Sequence, residues 1–215
     1  MIHLKRGPAP EFWTRAKVKE WTEHWLAKDC KSDRWQWPQV DNKKLNEYAR
    51  EAMPWQYNKC AFCEAPLGKA EIEHFRAKTK HPLAAFVWRN LFFICRDCNS
   101  AKGEKSHEGC LKPDREDPLD YLTIDVDSLK IKPKSNITPE AKKRAERTIE
   151  VYDLNRSYLI RFFKMYLGVR RGKDTELLWI GKNMDPNLLV RLQTLVGNDM
   201  AFSLRVECLL EHLTS

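Results

Sequence analysis

Two C-x-x-C pairs, Cys60-Ala-Phe-Cys63 and Cys95-Arg-Asp-Cys98, constrain this chain more than any other feature. A C-x-x-C turn can present two thiolates to one metal ion, and two such turns complete a closed tetrahedral site of the kind zinc prefers. The stretch between Cys63 and Cys95 is longer than in a compact zinc ribbon, so a hairpin and a loop have to fit between the two knuckles. Such a site contributes folding free energy directly, on the order of 10 kcal/mol. The other readings of the pairs are a redox dithiol, around which nothing reads as a thioredoxin-like unit, and disulfides, which no secretory signal accompanies.

Chemistry has to come from what lies between and just after the knuckles. Glu71-Ile-Glu-His74 alternates like a short strand ending at His74, and Leu91-Phe-Phe-Ile94, opened by Asn90, reads as a second strand. From Cys98 the segment Cys-Asn-Ser-Ala-Lys-Gly reads as a short helix stopped near Gly103, with Asn99 and Lys102 three residues apart on one face. Strand, long loop, strand and helix with a metal at the base form a ββα unit. Histidine titrates near neutrality, so His74 suits proton abstraction from water. Glu73 and Asn99 offer hard oxygen donors for Mg²⁺ or Mn²⁺, whereas the thiolates suit zinc. Lys102 can neutralise a phosphate oxygen. In a regular strand, however, Glu73 and His74 point to opposite faces, so they serve one site only if the strand ends or bulges there. The plainer roles are a packed core histidine for His74, capping or turn work for Asn90 and Asn99, and a solvated helix face for Lys102.

The order C-x-x-C, Glu73-His74, Asn90-Leu91, C-x-x-C-Asn99 and Lys102 resembles the HNH (ββα-metal) endonucleases. The resemblance implies that His74 is the general base, Asn90 orders the loop, and Asn99, with Glu73, binds the catalytic Mg²⁺ or Mn²⁺. The catalytic set is then His74, Asn90, Asn99, Glu73 and Lys102, with structural zinc on Cys60, Cys63, Cys95 and Cys98. The opening Met1-Ile-His-Leu-Lys-Arg-Gly-Pro8, Glu73-His74-Phe75-Arg76-Ala-Lys78, Trp88-Arg-Asn90-Leu91 and the later Pro113-Asp114, Asp117-Pro118, Thr148-Ile149 and Leu154-Asn155 resemble PtuB-type HNH proteins over about residues 1 to 165. Where Ala77 stands, those proteins usually carry Pro, a change expected to alter loop stiffness more than chemistry. This narrower resemblance implies the nuclease component of a Septu anti-phage defence pair, acting on nucleic acid beside a PtuA-like ATPase partner. It also implies a link to retrons, in which a reverse transcriptase and its DNA restrain the pair. The alternative is a catalytically inactive zinc-knuckle adaptor that binds nucleic acid or protein.

With 215 residues, 42% hydrophobic and 32% charged, the chain is expected to form one folded α+β domain, a ββα-metal core embedded in mostly helical structure. Its parts are a Trp-rich helical segment (1–55), the core with the zinc site (56–110) and a helical C-terminal region (111–215). The net charge of +8 suits a nucleic-acid partner. No run approaches the roughly 18 apolar residues of a membrane span. Seven cysteines without a signal segment suggest a reducing compartment, the cytoplasm, with Cys30, Cys110 and Cys208 as free thiols. Arg76, Lys78, Lys80 and His81 follow His74 closely enough to meet a phosphate backbone.

Helices are expected over about Glu11 to Lys28, with Trp21 and Trp25 on one face, and over Asp41 to Met53, capped by Asp41. Others are expected from Thr138-Pro139 to about Tyr152, from Arg156 to Val169 after a cap at Asn155, from Asp185 to Gly197, and from Asp199 to His212. Tyr121 to Ile124 and Ser128 to Ile131 should pair as a small hairpin. Of the eight tryptophans, all but Trp88 and Trp179 precede residue 56. Their expected role is to pack the N-terminal helices onto the zinc core, ahead of partner contact and base stacking.

Overall fold

The strand before the second knuckle, Leu-Phe-Phe-Ile-Cys, has no polar residue before its last position, so it must be covered on both faces. The chain builds its fold to do this. The computed structural model describes residues 1–166 except 2, 104 and 106, together with Gln193 and residues 202–214. Six helices are described: α1 (Arg15–Leu26), α2 (Leu45–Glu51), α3 (Arg96–Lys102), α4 (Pro139–Val151), α5 (Ser157–Tyr166) and α6 (Ser203–Thr214). Three two-stranded antiparallel sheets accompany them: β1 (Gln39–Val40) with β2 (Lys43–Lys44), β3 (Ala70–His74) with β4 (Leu91–Cys95), and β5 (Leu122–Ile124) with β6 (Ile131–Pro133). The expected Asp185–Gly197 helix, apart from Gln193, lies outside the described residues. No described helix is long and apolar enough to cross a membrane.

The central pair aligns Glu73 with Phe92, His74 with Leu91 and Ala70 with Cys95. Cys95 is both the last residue of β4 and the N-cap of α3, its Sγ accepting from the Cys98 amide at 3.5 Å. This cap starts α3 at Arg96, two residues before the sequence-based expectation, which had no reason to assign a cysteine that role. The helix stops at Gly103, whose φ of 48° a side chain tolerates poorly.

Tryptophan packs the N-terminal helix, though chiefly onto the loop between β3 and β4. Trp13, Trp21 and Trp25 are buried, and their rings meet Trp88, Phe86 and Trp35 edge-on. The indole N–H of Trp13 donates to the Phe86 carbonyl at 2.9 Å, that of Trp25 to Lys78 at 3.2 Å and that of Trp88 to Gly7 at 3.1 Å. These three indoles therefore keep their polar edges satisfied.

Three local expectations are corrected. Asp41 is not a helix cap. With Asn42 it forms a two-residue hairpin turn, both at positive φ (48° and 63°), so α2 begins only at Leu45. Asn155 does not cap α5 but pairs with a strand, accepting from the Ile131 amide at 2.7 Å and donating to its carbonyl at 2.8 Å. The second strand of the later hairpin starts at Ile131, because the Asp125 carboxylate holds Ser128 in the turn and Leu129 sits at φ 57°. Thr138 caps α4 by accepting from the Ala141 amide, with Pro139 at its first position.

Candidate metal centre and adjoining polar cluster

The first knuckle curls because Glu64, directly after Cys63, takes a left-handed φ of 61°, letting the Cys60 amide donate to the Ala65 carbonyl at 3.0 Å. The Ala61 amide donates to the Phe93 carbonyl at 3.0 Å, and the Gln56 side chain bonds both polar groups of Phe93, at 2.7 and 2.9 Å. The turn is thereby fixed to the strand that ends in the second knuckle. The four sulfurs of Cys60, Cys63, Cys95 and Cys98 lie within 4.8 Å of one another, with Cys63 and Cys95 3.7 Å apart. Zinc–sulfur bonds of about 2.3 Å place two corners of a tetrahedron about 3.8 Å apart, so the cluster can hold a metal ion such as zinc. The Arg156 guanidinium approaches Cys98 Sγ at 3.6 Å and Cys95 Sγ at 3.8 Å. Burial lowers its pKa, but the charge of Cys98 and Cys63 more than restores it, so the arginine stays cationic beside the thiolates. Behind the knuckle, Phe62 stacks on Tyr152 with ring centroids 3.5 Å apart.

A polar cluster lies between β3 and α3. Glu71 and Glu73 share a strand face, and each meets one residue of the helix: Asn99 Nδ2 donates to Glu71 Oε2 at 2.5 Å, and Lys102 Nζ stands 2.5 Å from Glu73 Oε1. Glu73 and Lys102 are buried. Burial pushes the Glu73 carboxyl above the usual range, against the pull of Lys102 and Lys78. Lys78 lies close enough to feel both Glu73 and Lys102, and burial lowers its own pKa. Its ammonium also rests over the Trp35 ring at 5.1 Å.

His74 faces elsewhere, as strand alternation requires. It is 6% exposed, stacked against Trp37 (5.4 Å, 15°) and edge-on to Trp35 (5.1 Å, 90°). Burial holds its imidazole down to about 3, Lys78 and Lys102 add to the depression, and a hydrogen bond with the Ala85 backbone opposes it. Nε2 has no hydrogen-bond partner among the described residues, so the Ala85 bond belongs to Nδ1. No hydrogen bond links His74 to Glu73 or Asn99 among the described residues.

Asn90 is buried and makes three bonds to the loop. Its Oδ1 accepts from the Arg76 amide at 2.7 Å, and its Nδ2 donates to the carbonyls of Arg76 (3.0 Å) and Ala84 (2.9 Å). These bonds bracket Lys78 and adjoin Ala85, the partner of His74. Of the other basic loop residues, Arg76 and Lys80 are exposed, and His81 lies edge-on to His107 at 5.6 Å. Cys110 and Cys208 are buried and Cys30 is half-buried, all three as free thiols. Burial pushes the first two up to about 11 and about 12.

Sequence reasoning missed Glu71, Arg156 and the pair Trp35 and Trp37, and it placed Lys78 only in the basic loop run, not beside Glu73 and Lys102. Strand alternation from Glu73 could have found Glu71. Arg156 reaches the thiolates only through the packing of the α4–α5 turn, and nothing local announces it.

The fold and site define a class: a mixed helical chain with small sheets, gathered around four cysteines that can hold one metal ion. Its sequence is 27% identical over 193 residues to the Septu protein PtuB of Bacillus thuringiensis, a match spanning 87% of this chain and 68% of PtuB. That similarity supports a PtuB-type Septu protein. No family model matches the chain.

Proposed function

We propose that this chain is a divalent-metal-dependent endonuclease of the HNH kind, hydrolysing phosphodiester bonds in Septu anti-phage defence beside an ATPase partner. The observation that carries the reading is the polar layer between β3 and α3, where Glu71, Glu73, Asn99 and Lys102 converge next to the four-thiolate site. The donors fit a hard cation in kind. Asn99 uses Nδ2 on Glu71, which leaves Oδ1 as a ligand atom, and the two carboxylates supply further oxygens. Glu73 and Asn99 would hold Mg²⁺ or Mn²⁺, which when bound polarises a phosphate oxygen. Before that, the Lys102 ammonium neutralises Glu73.

The remaining steps belong to this chain's own residues. His74 is neutral at ordinary pH and its Nε2 is unengaged, so the imidazole can accept a proton from water. Its basicity is depressed partly by Lys78 and Lys102. An anionic phosphodiester between those lysines offsets their charge and raises it toward the working range. Asn90 acts as a positioning residue by fixing the loop that carries Lys78 and Ala85. Because Trp35 and Trp37 cover His74, access of water to Nε2 requires that cover to shift.

That cover also favours a second reading, in which the thiolate site braces an adaptor that binds nucleic acid or protein without cutting. One experiment separates the two. Plasmid and RNA are incubated with the chain and its partner, with and without Mg²⁺ or Mn²⁺, beside a His74→Ala variant. The nuclease reading expects metal-dependent cutting that the variant loses. Equal cutting by both defeats the role given to His74, and binding without cutting by either establishes the adaptor.

A further inference from the structure

Trp35 and Trp37, two of the rings that cover His74, also line an open cleft of about 760 Å³. That volume falls within the roughly 300–1,000 Å³ of small-molecule sites. Trp21, Trp25, Trp35, Trp37 and Phe86 form its aromatic walls. Trp35 stacks on Phe86 (5.2 Å, 19°) and meets Trp37 at 79°, so the half-buried indoles form a corner rather than a closed stack. The lining holds no Leu, Ile, Val or Met side chain.

We propose that this cleft binds an unstacked base of single-stranded nucleic acid, a subsite that rests on the nuclease reading and adds where the strand is held. Three properties of the lining select that occupant. Planar π faces, with Pro38 as the one aliphatic ring in the lining, suit a heterocycle better than the branched side chains of a docking peptide. His24, Lys28 and Lys44 border the cleft against the single carboxylate of Glu20, which favours a phosphate backbone and disfavours a cationic guest. Gln36 and Asn46 add amides that can donate to and accept from the edge of a base. Position supplies the link to chemistry, because Trp35 and Trp37 both line the cleft and both contact His74. A base stacked there holds its strand against the indoles that contact the imidazole.

The test uses the full zinc-loaded chain without added divalent ions and labelled short single strands of DNA and RNA, with affinity read by fluorescence anisotropy. One abasic residue is moved along the strand. Stacking predicts that Trp37→Ala weakens binding about 5- to 150-fold and that Trp37→Phe recovers most of the loss. It also predicts that one abasic position costs the parent a similar factor and costs Trp37→Ala almost nothing. A flat abasic scan on the parent, duplex bound as well as single strand, or unchanged affinity in Trp37→Ala overturns the proposal. Should Trp37→Ala fail to fold, the scan on the parent decides alone. A chain that cuts but gives a flat scan sinks only the cleft; one that neither binds nor cuts sinks the nuclease reading as well.

Discussion

The burial of His74 between indole rings makes a quantitative demand on stability. Its folded pKa of about 3 lies below the ordinary 6.5, so the folded state refuses a proton that the unfolded state accepts. Above the unfolded pKa both states are neutral and His74 contributes no pH dependence. As pH falls below 6.5 the unfolded chain gains protons, and stability drops with a slope approaching about 1.4 kcal/mol per unit until the folded pKa is reached. Between about pH 7 and about pH 5.5 the loss from this one residue is about 1 kcal/mol. Acid also protonates the thiolates, so the parent's own curve mixes two effects. His74→Leu removes the imidazole and leaves the cysteines untouched. Urea unfolding of both proteins at the two pH values isolates the difference, and the parent should lose about 1 kcal/mol more than the variant. Parallel losses would show that His74 is solvated or charged in the folded state. The buried geometry, and the need for its cover to shift before catalysis, would then be wrong.

Other outcomes follow from the same contacts. Purified chain should carry one zinc ion, and Arg156→Met should release it faster to a chromogenic chelator, because the thiolates lose their nearest cation; identical release rates refute that role. Asn90→Ala removes three part-buried hydrogen bonds and should cost about 2–4 kcal/mol in urea unfolding. A cost within error of zero would mean the loop holds itself. Glu73→Gln leaves the Lys102 ammonium buried without its counter-charge and should cost about 3–5 kcal/mol, most of it recovered when Lys102→Met is added. Additive losses in the double variant would show that the two side chains are not coupled.

The short-range pattern settled a good deal of this molecule. The cysteine pairs, the alternation of Glu71 to His74, the apolar run of β4 and the Thr138-Pro139 helix start are local in cause, since turn chemistry and side-chain periodicity act over a few residues. Errors arose where a local signal had two meanings. Asp41 can cap a helix or turn a hairpin, and Asn155 can cap a helix or tie down a strand. The strand period also warned that Glu73 and His74 face apart, and they do: one meets α3 and the other the tryptophans.

Sequence by itself determined that four thiolates would meet and that a strand–strand–helix unit would lie between and after them, because ligand spacing and hydrophobic period leave few alternatives. Only the tertiary structure decided what surrounds each reactive group. Trp35 and Trp37 over His74, Lys102 against Glu73 and Arg156 against the sulfurs are contacts between residues distant along the chain. They are set by how the layers pack, and no local rule encodes which side chains packing will bring together.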